Sequence, residues 1–272
     1  MKRISRLVKA NKSDLVMQYL FLRKGLTVKP RRSDSVISDL FIVREDEDWK
    51  TEFEVLNINA IIAGEFGNFI GRILKFHFFT AKGRKVKTYE MKFDERPRQT
   101  VQLSSLISGL DSPPATFAVE HPNCLSVDDL EGSHVADRGY TGYEFKNLGV
   151  KGYVHGNLDA VEIHGERVSP IGNSGFFQRY YTVQHVLKGP AIYEFAFTNP
   201  TSKVQVIQPQ LTFCDGPWLD QEAFAIESLG ASIFRVEIQE EQKAIARFRS
   251  KLYLARPVVF RSTDTNMDVF HG

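Results

Sequence analysis

From Ser38 onward, apolar and polar residues alternate with a period of two, which is the pattern of β-strands that bury one face. Two clear runs are residues 73–79 and 244–248. Short turns that contain glycine, such as those at Gly83 and Gly216, separate the runs, and glycine tolerates the positive φ that hairpin turns need. The pattern therefore predicts an all-β protein built from antiparallel strands.

Two stretches of this pattern align with each other. In the first, a strand ending at Asn57 precedes a strand that turns at Gly83, and the same order occurs at Asn199 and Gly216. The asparagines lie 142 positions apart and the glycines 133, so one indel of nine residues reconciles the two stretches. The same order of strands and turns, found twice, predicts a tandem repeat.

The repeat and its length suggest the architecture. Each unit would hold roughly 90–110 residues, which is about the size of one antiparallel β-sandwich. We predict two tandem antiparallel β-sandwich modules, residues 38–128 and 182–272, with a Gly/His/Tyr-rich connector, residues 129–181, between them.

The N-terminal end has a different character. Residues 1–32 contain ten Lys or Arg and one acid, Asp14, although the formal charge of the whole chain is only +2. Ser13 is suited to begin a helix and Gly25 to end it. We predict a short basic amphipathic helical segment and linker over residues 1–37. The favoured interpretation is a helix packed on the β body, and the alternative is a peripheral membrane adaptor in which residues 1–32 contact an anionic membrane surface.

The connector holds the candidate ligand-binding residues. Aromatic faces can stack on sugar rings, while histidine, amide, carboxylate and guanidinium groups complement hydroxyls. The predicted ligand-binding residues are Tyr140, Tyr143, Tyr153, His155, Asn157, Asp159, Arg167 and Tyr180. The competing interpretation is that these rings fill a core or an interface between modules.

Catalytic chemistry finds less support in the sequence. The spacing of His155, Asp159 and His164 matches no metal-ligand template, and in an extended strand His164 faces away from the other two. No nucleophile elbow, phosphate loop or dinucleotide fingerprint occurs. We therefore expect no catalytic residue, metal or cofactor. An enzyme that acts on a sugar-derived substrate through a His/Asp site, with or without a metal, is the alternative.

Composition limits the remaining classes. The chain has two cysteines, which we interpret as free thiols. No run approaches the roughly 20 apolar residues of a membrane span. A cytoplasmic protein is therefore expected. Nucleic acid is not an expected partner, because the basic residues are concentrated away from the aromatic ones. Strand edges make a homo-oligomer reasonable.

The function predicted from the sequence is a non-enzymatic binding or assembly protein. Its inter-module surface, aromatic and polar, would contact a carbohydrate or a protein partner.

Overall fold

A computed structural model describes residues 35–56, 73–92, 98–121, 139–156, 160–213, 216–252 and 256–272. Of the predicted features, nearly all of the N-terminal segment, both cysteines, Asn157 and Asp159 lie outside the described residues. The described residues are 62% strand and 3% helix, which confirms the all-β class.

The described residues form 21 strands and one short helix. In chain order they are β1 (Val36–Ser38), β2 (Phe41–Ile42), β3 (Trp49–Leu56), β4 (Ile73–Phe79), β5 (Lys85–Lys92), β6 (Arg98–Gln102), α1 (Leu103–Ile107), β7 (Thr116–Glu120), β8 (Tyr140–Phe145), β9 (Val150–His155), β10 (Val161–His164), β11 (Arg167–Pro170), β12 (Ser174–Thr182), β13 (Leu187–Lys188), β14 (Ala191–Thr198), β15 (Gln205–Phe213), β16 (Leu219–Asp220), β17 (Phe224–Ile226), β18 (Ala231–Ile238), β19 (Lys243–Leu252), β20 (Val258–Ser262) and β21 (Met267–His271).

The strands pair into five antiparallel sheets, numbered here I to V. Sheet I has the order β1-β10-β11, sheet II β2-β7-β4-β5, and sheet III β6-β3-β8-β9. Sheet IV has the order β12-β19-β15-β16, with β13 and β17 attached to it, and sheet V has the order β18-β14-β20-β21. Sheets I to III form the first half of the described chain, and sheets IV and V form the second half.

The prediction of two tandem β-sandwich modules is wrong, because the strands form five sheets that are arranged as a five-bladed β-propeller. Alternation of apolar residues shows where a strand lies and which face it buries, but it does not show which strands pair. The segment taken as a connector supplies strands to three sheets: β8 and β9 to sheet III, β10 and β11 to sheet I, and β12 to sheet IV. The residues predicted to form a basic N-terminal helix lie outside the described residues.

The order of pairing does recur between the two halves. Strand β3 pairs with β6 and β4 pairs with β7, and in the same way β14 pairs with β18 and β15 with β19. These are the strands whose sequences align, so the internal similarity extends to the way the strands pair.

Aromatic side chains dominate the cores within each half. Phe53, Phe76 and Phe117 pack edge to face between sheets II and III, with the Phe53 and Phe117 ring centroids 5.4 Å apart. Phe195 and Phe248 contact each other between sheets IV and V at 5.2 Å. Burying a side chain of this size stabilises the fold by about 1.5–3 kcal/mol.

A third core joins the two halves. Trp49 and Tyr143 of sheet III pack against Phe260 of sheet V, with ring centroids 4.9 and 4.7 Å away. A buried ion pair lies beside these rings: Arg44 Nη2 is 3.1 Å from Glu194 Oε2, and Trp49 Nε1 donates to the same oxygen at 3.2 Å. The halves are therefore held together by an apolar cluster and by the Arg44–Glu194 ion pair that lies beside it.

Replacing Glu194 with alanine tests this junction. The change removes the inter-half partner of the buried Arg44 guanidinium, while Asp46 Oδ2 stays 2.5 Å from Arg44 Nε as its second partner. We therefore expect the free energy of unfolding to fall by roughly 2 kcal/mol, the contribution of hydrogen bonds to a charged group. The measurement is chemical denaturation followed by circular dichroism.

The matched control is Glu166→Ala. It breaks the exposed Lys85–Glu166 pair, 2.6 Å apart, and should cost less than about 1 kcal/mol. Equal, small losses in both variants would show that the Arg44–Glu194 pair does not hold the halves together.

Buried histidines make stability depend on pH. Burial lowers the pKa of His121 to about 4, from an ordinary value of 6.5. The folded state therefore keeps His121 neutral while the unfolded chain takes up a proton, and stability that is complete above pH 6.5 is lost as the pH falls towards 4. We expect the free energy of unfolding of the native protein to fall over this window, by on the order of 1–3 kcal/mol from His121 alone. A His121→Gln variant should show a shallower slope over the same window, and an unchanged slope would contradict the assignment.

Candidate functional site

The structure does not bring the predicted site residues together. Tyr140, Tyr153 and His155 lie on the outer face of sheet III, whereas Tyr143 points into the core between the halves. Arg167 lies exposed on sheet I, opposite His164 in the ladder. Tyr180 lies on sheet IV. The exposed tyrosines among the predicted residues are therefore divided between sheets III and IV.

On sheet III, Tyr153 belongs to a hydrogen-bonded network around Glu52. The Tyr153 hydroxyl donates to Glu52 Oε1 at 2.6 Å, while Gln102 Nε2 and Lys151 Nζ donate to Oε2 at 2.6 and 2.7 Å. Burial alone would raise the pKa of Glu52, but the hydrogen bonds from Lys151, Tyr153 and Gln102 outweigh it and hold the pKa below its ordinary value. The carboxylate is charged and its oxygens already have partners, so this network stabilises the sheet and offers little to a ligand.

His155 lies at the seam between sheets III and V. Its ring centroid is 4.9 Å from that of His271, and His271 Nε2 donates to the His155 carbonyl oxygen at 3.0 Å. Burial is the main reason that the pKa of His271 falls to about 4. These contacts place His155 in the packing of strand β9 against β21.

Tyr143 is a core residue. It is almost wholly buried, and its hydroxyl donates to the Ile42 carbonyl oxygen at 3.0 Å. Its ring packs edge to face on Phe260 across the junction of the halves, so Tyr143 fills a core and is not available to a ligand.

Sheet IV presents a second surface, because alternate residues of its strands face away from the core. On β19, Ala246 and Phe248 are buried, so Arg247 and Arg249 point outward. Cross-strand pairing sets Tyr180 and Gln208 on either side of Arg249. In the adjoining row, Gln210 lies opposite Arg247, and Asp220 follows on β16. The arginine–aromatic face is defined as Tyr180, Gln208, Gln210, Trp218, Asp220, Arg247 and Arg249.

Arg247 is the centre of this face. Its guanidinium carbon lies 3.8 Å from the ring centroid of Trp218 and 4.5 Å from that of Tyr180. Its Nε donates to Gln210 Oε1 at 2.5 Å, and Gln210 Nε2 in turn donates to Asp220 Oδ1. Stacking and hydrogen bonding therefore fix Arg247 as a spacer that sets the positions of both aromatic rings.

Arg249 is fixed less completely. Its Nε is buried and has no hydrogen-bond partner in the described part of the chain. A buried donor without a partner carries a free-energy cost. Arg249 is thus the residue of the face with an unused donor.

Two phenylalanines extend the apolar surface at the edge of sheet IV. The register of β12 against β19 shifts between Ser174 and Arg179, and this irregular stretch carries Phe176 and Phe177. They are 75% and 70% exposed, and their rings pack edge to face at 5.1 Å. Tyr180, 55% exposed, follows on the same edge strand.

Sequence reasoning identified Tyr180 but missed the other six residues of the face. A signal was present in β19, where Arg247, Arg249 and Lys251 occupy every second position between buried residues. Such alternation indicates a basic outer face of one strand. The partners from β15 and β16 carry no comparable signal, because they depend on strand pairing.

The described residues show neither a metal site nor a membrane-spanning helix. The described residues contain no group of three or more His, Cys, Asp or Glu that could hold a metal ion. Within the same residues, no helix is long and apolar enough to cross a membrane.

Comparisons with known proteins add little. No protein-family model matches the chain, and no curated protein matches it. Among solved structures, one similar to it is Bacteroides uniformis beta-glucuronidase 2 covalently bound to cyclophellitol-6-carboxylate aziridine. The identity is 10% and the TM-score 0.15, over 85% of this chain and 25% of that one. The chain thus spans about a quarter of the length of that protein, and the likeness is too weak to support an argument about fold or function.

Trp218 provides a direct test of the stacked geometry, since the only other tryptophan, Trp49, is buried. Replacing Arg247 with alanine removes the cation that covers the Trp218 ring. We expect acrylamide to quench tryptophan fluorescence more strongly in this variant, while the free energy of unfolding changes by no more than about 1 kcal/mol. The same substitution in a Trp218→Phe background should leave quenching unchanged. Increased quenching in that background would show that the signal comes from Trp49, and hence from a disturbed core.

Proposed function

We propose that this chain is a non-enzymatic carbohydrate-binding protein whose ligand lies across the arginine–aromatic face. The observation that carries the proposal is the pair of adjoining rows on sheet IV. One row is Tyr180, Arg249 and Gln208, with Arg249 in the middle, and the adjoining row is Arg247, Gln210 and Asp220.

The chemistry of a sugar ring matches this arrangement. One face of the ring is apolar and suits an aromatic side chain, while its hydroxyls both donate and accept hydrogen bonds. Tyr180 and Trp218 supply the aromatic surfaces. Gln208 and Arg249 in one row, and Asp220 in the adjoining row, supply acceptors and donors on the outward side of the sheet. An open sheet face of this kind suits a chain of sugars better than a small molecule, which usually needs a concave pocket.

Binding is favoured over catalysis by the number of carboxylates. Glycoside hydrolysis commonly uses a pair of Asp or Glu residues on either side of the scissile bond. The arginine–aromatic face has one carboxylate, Asp220, and its Oδ1 already accepts a hydrogen bond from Gln210. The face therefore supports recognition without bond cleavage.

The other predictions about location and partners stay part of the proposal. A cytoplasmic location and a homo-oligomer are consistent with it. A protein partner is the alternative occupant of the same surface, and contact of residues 1–32 with an anionic membrane stays a prediction for residues outside the described part.

Alanine substitutions on two different sheets test the proposal. Binding of a panel of polysaccharides is measured by affinity electrophoresis, and the best ligand is followed by titration calorimetry. Tyr180→Ala and Trp218→Ala should each weaken binding at least tenfold, which corresponds to about 1.4 kcal/mol of lost stacking.

Tyr140→Ala is the matched control, since Tyr140 is 41% exposed on sheet III and was predicted from the sequence to bind the same ligand. We expect it to bind like the native protein. A loss of binding in Tyr140→Ala with none in Tyr180→Ala would move the site to sheet III, and binding of no polysaccharide would refute the function.

A further inference from the structure

Given the carbohydrate-binding function proposed above, we infer that the arginine–aromatic face selects acidic sugars, and that Arg249 binds the carboxylate of a uronic acid unit. The inference therefore names the ligand class of the same site and depends on that function.

The unused donor of Arg249 is the first reason. Its Nε is buried without a hydrogen-bond partner among the described residues, so no acceptor there holds this guanidinium in the way that Gln210 holds Arg247. A guanidinium binds a carboxylate through two parallel hydrogen bonds, and these charge-assisted bonds are shorter and stronger than bonds between neutral groups.

The charge of the neighbouring positions is the second reason. Arg247 projects from the same face two residues before Arg249, which places the two Cα atoms roughly 7 Å apart on an extended strand. Lys243 and Lys251 are exposed at the two ends of β19. Four basic residues at alternate or terminal positions of one strand make the outward side of β19 positively charged, which favours an anionic ligand.

The two arginines differ in how firmly their guanidinium groups are held, and this difference indicates which one binds the anion. Arg247 is stacked between Trp218 and Tyr180 and bonded through Nε to Gln210. Arg249 has neither of these restraints, and it lies between Tyr180 and Gln208 in the ladder. A sugar ring stacked on Tyr180 would therefore bring a substituent at its edge to Arg249.

An acidic sugar fits the face better than an acidic peptide does. Asp220 would repel a run of peptide carboxylates, but it can accept hydrogen bonds from sugar hydroxyls. The amide of Gln208 is likewise suited to hydroxyls rather than charges, whereas Gln210 is buried and holds Arg247 and Asp220. The combination of one anion-binding group with several hydroxyl-binding groups is what a uronic acid requires.

The experiment compares matched ligands on native protein and one substitution. The acidic probes are three oligosaccharides that contain galacturonic, mannuronic or glucuronic acid, and the neutral probes are the same compounds after reduction of the carboxyl groups. We expect the native protein to bind at least one acidic probe roughly ten- to a hundredfold more tightly than its reduced form. Added salt should weaken the acidic complex more than the neutral one.

Arg249→Gln should abolish the preference, so that the acidic probe binds no more tightly than its reduced form, and circular dichroism should show that the variant is folded. Arg235→Gln is the control, since Arg235 is exposed on edge strand β18 of sheet V, and it should keep the preference. Tyr180→Ala should weaken binding of both probes equally.

The outcomes separate the two proposals. Equal binding of acidic and neutral probes, with no effect of Arg249→Gln, overturns the acidic selectivity and leaves carbohydrate binding standing. Binding of poly-glutamate as tightly as the best uronate also overturns the inference, because charge alone would then explain it. Failure of every acidic and neutral oligosaccharide to bind overturns both proposals.

Discussion

The ion pair between Arg44 and Glu194 is the interaction on which the union of the two halves depends. The two residues are 150 positions apart, and their side chains are almost completely shielded from water. Removing both charges from water is costly, and hydrogen bonds to both groups offset this cost. Both terminal nitrogens of Arg44 donate to Glu194 Oε2, and Arg44 Nε donates to Asp46 Oδ2. Trp49 Nε1 donates to the same carboxylate oxygen, and the Arg44 guanidinium lies 4.7 Å from the Phe260 ring. The apolar residues around the pair contribute most of the stabilising free energy of the junction, and we expect the pair to favour this arrangement of the halves over others.

That junction also determines how rigid the arginine–aromatic face can be. Phe260 and its neighbours belong to sheet V, whose other strands pack on the inner face of sheet IV through Phe195 and Phe248. The strand that presents Arg247 and Arg249 is therefore held from behind by a core that is itself anchored to the first half. The backbone of such a strand needs little rearrangement when a ligand binds, so less of the binding energy is lost in ordering it.

Local pattern predicted the strands well and their assembly poorly. The runs at residues 73–79 and 244–248 are strands, and Gly83 does adopt a positive φ, of 69°. The prediction failed where distant segments meet. Strand β1 pairs with β10, so that Val36 faces Ile163, and this pairing helps to create the fifth sheet that two sandwich modules do not contain. The sequences of these two strands do not show that they pair, because the main-chain hydrogen bonds are the same for any two antiparallel strands.

The candidate site was only partly predictable for a related reason. Sequence reasoning grouped residues that are neighbours along the chain, whereas the face joins neighbours across strands, such as Tyr180 and Arg249. The alternation along β19 also separates the residues that contribute to stability from those that can contact a ligand. On β19 the even-numbered positions from Ala244 to Leu252 are buried in the core, and the odd-numbered ones face outward. Substitutions at outward positions can change which ligand is bound while the core packing stays intact, so the ligand specificity of sheet IV can change without a large loss of stability.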